Sequence, residues 1–175
     1  MAARNLLSLI LLAIPLPAQS PAQSLDPPAL PAAASAIRVE PSAQLKYHFL
    51  AAGKQIYKCE NGAWAKASTP DAALFDKNAN LQVHHSAGPS WTTLDHKSAV
   101  KAIGATAIHF AAPDGVSIDW LKLEVDKASR TGDFRDVAII QRLYTGAGQA
   151  PTAACTTNQV YESPYTAHYY FWSLP

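Results

Sequence analysis

The chain has 175 residues and sets 14 Lys plus Arg against 13 Asp plus Glu. That near-zero balance gives no electrostatic footprint for nucleic acid or for an anionic membrane surface. The length suits one ordinary domain with a real core, and its two cysteines, Cys59 and Cys155, form no C-x-x-C pair of zinc or redox type.

Arg4 opens a short positive start, an apolar run occupies residues 6–14, and Ala18-Gln19-Ser20 and Ala22-Gln23-Ser24 offer small-residue exits. This pattern predicts a secretory signal peptide over residues 1–20. The run is too short to cross a bilayer, which takes roughly 20 apolar residues, and no second long run follows. The expected product is a secreted or periplasmic soluble protein with no membrane span after processing. In such a compartment the two cysteines predict one disulfide, Cys59–Cys155.

Residues 21–42 are rich in Pro, Ala and Ser and predict a disordered linker. A single β domain is expected over 43–175. Leu45, Tyr47 and Phe49 alternate with Lys46 and His48, the period of a half-buried strand. Ala52-Gly53 is read as a turn, residues 55–60 as the return strand, and Asn61-Gly62 as a hairpin turn before Trp64. Residues 70–75 predict one helical turn. Strands are expected near 83–85 and 99–103 around the Gly88-Pro89 break, while 105–111 is apolar and ambiguous. Alternation of Leu121, Leu123 and Val125 with Lys122, Glu124 and Asp126 marks a strong strand. Residues 137–143 are apolar on both faces apart from Gln141 and Arg142, as a central strand is, and 165–172 closes the chain with β-favouring aromatics. Short strands punctuated by turns, with no long helical pattern, predict an all-β antiparallel sandwich, with a barrel as the second choice.

Gln55-Ile56-Tyr57-Lys58-Cys59, Gly62-Ala63-Trp64, Leu74-Phe75-Asp76 and the segment Val83-His84-His85-Ser86-Ala87-Gly88-Pro89-Ser90-Trp91 follow one another along the chain. Ile118-Asp119-Trp120-Leu121, the run ending in Ile140-Gln141-Arg142, Ala150-Pro151 before Cys155, and Pro164-Tyr165-Thr166-Ala167 continue the series. Together they resemble a family of exported bacterial and fungal proteins of unknown function, DUF3455. The chain departs from that family at Asp95-His96-Lys97-Ser98, where Asp-Gly-Ser is usual, and at His85, where Tyr is commoner. Some members of the family carry a malate dehydrogenase label. Here Gly146-Ala147-Gly148 leads to Pro151 rather than to a third Gly or Ala, and no helix follows to receive a pyrophosphate, so neither NAD nor any other cofactor is expected.

His84 and His85 are adjacent and must point to opposite faces of a strand, so only one can join a given site. No histidine spacing is diagnostic of a metal, and no metal site is expected. Trp91, beyond the Gly88-Pro89 break, is the tryptophan expected to be partly exposed. Arg142 on an apolar strand needs a partner, Asp119 or Asp136, or else marks an anion site. The candidate ligand-binding residues are therefore His84, His85, Trp91, Gln141 and Arg142. They suggest a binding or structural module whose partner is a small molecule or a cell-envelope or extracellular component. The alternative is a small extracellular hydrolase using His84 or His85.

Overall fold

The computed structural model describes residues 25–175; the expected leader lies outside the described residues. The fold is all-β and antiparallel, as expected, with only short 3-10 turns besides strands among the described residues. Its ten strands are β1 (Gln44–Glu60), β2 (Ala63–Trp64), β3 (Thr69–Phe75), β4 (Leu81–Ser86), β5 (Ser90–Thr93), β6 (Ala99–Lys101), β7 (Ile108–Phe110), β8 (Trp120–Glu124), β9 (Ile139–Ala147) and β10 (Val160–Ser173). They form one sheet in the order β6-β5-β4-β3-β1-β10-β9-β8-β7, with β2 paired to β1. The sheet curls on itself. Ala102 bridges Val125, so the chain leaving β6 meets the chain leaving β8 at one corner. One rolled sheet is thus closer to a partly closed barrel than to two stacked layers.

The long strand β1 replaces the expected hairpin, because Ala52-Gly53 continues the strand instead of turning it. Gly53 is there for space. A Cβ at this position would collide with the Asp71 carbonyl and with Ala72 of the neighbouring β3. Residues 70–75, expected as a helical turn, lie in β3, where Ala72 and Leu74 are buried on the inner side. Asn61 and Gly62 do make the hairpin turn, both at positive φ, and Cys59 pairs with Trp64 across it.

Alternation along the strands divides the apolar residues between two cores. Phe49, Ala51, Leu74, Val83, Tyr169 and Phe171 fill the concave side together with Phe134 and Val137. Trp120, Leu143, Tyr170 and Trp172 project from the convex side. That side is covered by residues expected to be a disordered linker. Ala32–Ile37 forms a 3-10 turn in which Ala34 and Ile37 are wholly buried. Gln141 Nε2 donates to the Ile37 carbonyl at 2.6 Å and the Tyr144 hydroxyl donates to the Ala29 carbonyl at 2.6 Å. The prolines prevent a regular helix there but do not prevent apolar packing, and burying Ile37 is worth roughly 1.5–3 kcal/mol.

The disulfide joins Cys59 to Cys155 with 96 residues of separation. It ties the end of β1 to the loop before β10. No helix among the described residues is long and apolar enough to cross a membrane.

Candidate functional site

One mouth of the curled sheet opens into a cavity of about 430 Å³. Its floor and walls come from inward positions at one level of the roll: Gln55 and Tyr57 on β1, His85 on β4, Trp91 on β5, Arg142 on β9 and Tyr169 on β10. Register explains the grouping. His85 pairs directly with Trp91, and Arg142 pairs with Tyr169 on one side and Leu121 on the other. The rim is formed by residues 66–70, the tip 87–89, His109 and Asp119.

His85 is buried and lies flat against Trp91, with ring centroids 4.3 Å apart and planes 2° from parallel. Its Nδ1 donates to the Ser90 carbonyl at 2.8 Å, which fixes the tautomer with a lone pair on Nε2. Burial pushes its pKa down to about 3, so the ring is neutral at ordinary pH. Trp91, expected to be partly exposed, is only 1% exposed, yet its indole Nε1 has no hydrogen-bond partner. Gln55 is equally buried; its Oε1 accepts from the Ser68 hydroxyl while its Nε2 has no partner. Two further buried donors, Trp120 Nε1 and Arg130 Nε, are also unpartnered, but neither lines the cavity.

Arg142 is half-buried, and its Nε and Nη2 both donate to the Asp119 main-chain carbonyl, at 3.2 and 2.8 Å. The Asp119 carboxylate is turned elsewhere, accepting from His109 Nδ1 at 3.0 Å. Asp119 is thus a partner of Arg142, as expected, but through its backbone, and Arg142 forms no ion pair among the described residues. The groups its charge does reach, Tyr57, Tyr165, Tyr169 and His85, are all uncharged. Burial raises each phenol and Arg142 only partly offsets it. An unpaired guanidinium facing neutral walls is costly unless water or an anion meets it.

The structure therefore brings His85, Trp91 and Arg142 together and sends the other two candidates elsewhere. His84 faces out, half-exposed, its Nε2 2.9 Å from Asp71 Oδ1; that contact holds the Asp71 carboxyl below its ordinary value. Gln141 is on the convex side, where its Oε1 accepts from Trp172 Nε1 at 2.8 Å and its amide holds the covering segment. Gln55, His109 and the rim at 66–70 were not anticipated. Continuing the alternation of Phe49 and Ala51 through Gly53 would have put Gln55 and Tyr57 on the same face. Among the described residues no group of three or more His, Cys, Asp or Glu side chains gathers as a metal site.

No curated protein and no solved structure matches the chain. The family model described as protein of unknown function (DUF3455) matches residues 40–173, the whole of the curled sheet, and the chain belongs to that family.

Proposed function

We propose that this is an exported binding module that takes a small molecule into the mouth of its curled sheet. One observation carries the reading: the guanidinium of Arg142, with no ion pair among the described residues, lines a cavity beside Gln55 and Trp91, each of which has a buried side-chain donor without a partner. Buried polar groups are almost always satisfied, so a charge and two donors left without partners beside one cavity mark it as a place for acceptors to enter. The volume falls in the range of roughly 300–1,000 Å³ used by small-molecule sites. Export is supported by the leader-like start of the sequence together with the disulfide.

A hydrolase would need a base whose pKa lies near the working pH. His85, held at about 3, is a poor one, and His84 faces away from the cavity.

The test is a screen of neutral, cationic and anionic small molecules, read by tryptophan fluorescence and thermal unfolding, on the mature protein and on Ala107→Phe. Ala107 is a half-buried wall residue, and a phenyl ring there occupies the cavity. Saturable binding that Ala107→Phe abolishes is the expected result. Binding that persists in the filled variant, or none from any class of compound, sinks the proposal. Export is checked by sequencing the N-terminus of protein recovered outside the cytoplasm, which should begin within residues 19–25.

A further inference from the structure

We infer that the cavity selects a small organic anion, with a carboxylate held by Arg142 and an apolar body lying along the adjoining apolar wall. The inference rests on the cavity being a binding site and adds the class of ligand. Arg142 donates from Nε and Nη2 to one carbonyl, and the other side chain it reaches is the neutral Tyr169 hydroxyl, so no carboxylate meets the guanidinium among the described residues. A guanidinium has five N–H donors in a planar fork that matches a carboxylate. The fork is held from behind by a backbone carbonyl, so it is positioned without being neutralised.

Charge around the cavity is positive on balance. Lys66 and Arg142 line it with a single carboxylate, Asp119, whose Oδ2 already accepts from His109. The Gln55 oxygen is taken by Ser68, which leaves its amide N–H and the indole N–H of Trp91 buried and unpartnered beside the cavity. These are donors without acceptors, so they suit an oxygen-rich anion and oppose an ammonium group. Ile118, Leu121, Leu123 and Ala107 supply an apolar wall beside Arg142, whose cross-strand partner is Leu121. A free inorganic anion would leave that apolar wall unused. An organic acid with a ring or short hydrocarbon body satisfies both sides.

The probes are 2-naphthoate and its neutral isostere 2-naphthamide, titrated by calorimetry against the mature protein, Arg142→Met, Arg142→Lys and Ala107→Phe. The acid should bind roughly 10- to 100-fold more tightly than the amide, the usual worth of a hydrogen bond to a charged partner. Arg142→Met should erase that preference while leaving the amide's affinity within about threefold. Arg142→Lys, which keeps the charge and loses the fork, should retain part of it and serves if the Met variant does not fold. Equal binding of acid and amide by the mature protein, or a preference unchanged in Arg142→Met, overturns the inference. So does binding of neither probe. In each of those cases the cavity reading stands if neutral compounds from the screen still bind and Ala107→Phe blocks them, so the two failures are told apart.

Discussion

Replacing His85 by Phe should remove a large part of the acid sensitivity of this fold. The His85 ring is buried, neutral, and held at about 3 against an ordinary 6.5. As pH falls below 6.5 the unfolded chain binds a proton at this position and the folded chain does not, so stability is full above that value and is lost on acidification. The loss is about 2 kcal/mol by pH 5 and would reach roughly 4–5 kcal/mol near pH 3, at 1.36 kcal/mol per unit of difference. Phe keeps the stacking on Trp91 but leaves the Ser90 carbonyl without its donor, which costs about 1–3 kcal/mol at every pH. The variant should therefore be weaker at pH 8 and lose less stability between pH 8 and pH 5. His48 and His168, whose rings meet at 3.0 Å on the convex side, are also pushed down by burial and tilt the curve the same way. They do so in both proteins, so the difference between the two curves isolates His85. Urea unfolding at intervals from pH 8 to pH 4.5 measures it. Two parallel curves would refute the reasoning.

Reduction of Cys59–Cys155, which spans 96 residues, should lower stability by about 2–5 kcal/mol, measured as a fall in urea midpoint with dithiothreitol. Gly53→Ala should cost at least about 1–3 kcal/mol, because the new methyl meets β3 backbone rather than a side chain that can move; thermal unfolding within experimental error of the parent would contradict this. Ile37→Ala, in the covering segment, should cost about 2–5 kcal/mol by urea unfolding, and an effect under about 0.5 kcal/mol would mean the segment is only loosely seated. His96, in the turn after β5, stands at φ 58, in the left-handed region that favours glycine. His96→Gly should raise stability by about 1 kcal/mol, and a lower melting temperature would count against that account.

The strands near 83–85, 99–103, 121–125, 137–143 and 165–172 were legible because alternation and turn residues are local signals. What was missed depended on neighbours far away in sequence. Ala52-Gly53 has turn composition, and nothing before Thr69–Phe75 is placed beside it reveals that its glycine serves a close strand approach. Residues 25–42 carry no period, yet they bury Ile37 because the convex side offers Trp120, Leu143 and Trp172 to cover. For the site, alternation required that His84 and His85 part company, but it could not say which one faced inward. That choice is made by the curl of the sheet.

The same alternation shapes β9, where Gln141 and Arg142 are consecutive polar residues in an otherwise apolar strand. Their opposite directions give them unlike environments. Gln141 uses both ends of its amide, accepting from Trp172 and donating to Ile37, so its burial is fully compensated and fixes the covering segment in place. Arg142 donates to a neutral carbonyl, and the carboxylate that lines the same cavity, Asp119, accepts from His109. If structure alone governed this strand, Arg142→Met would be neutral or stabilising, since it removes a half-buried charge with no opposite partner. A stabilised Arg142→Met that also loses its preference for 2-naphthoate over 2-naphthamide would mean that the charge is kept for a ligand at some expense to the fold. A destabilised one with that preference unchanged would mean that Arg142 serves to hold the Asp119 carbonyl and closes the corner between β8 and β9. Unfolding and binding measured on that one variant therefore separate the two roles.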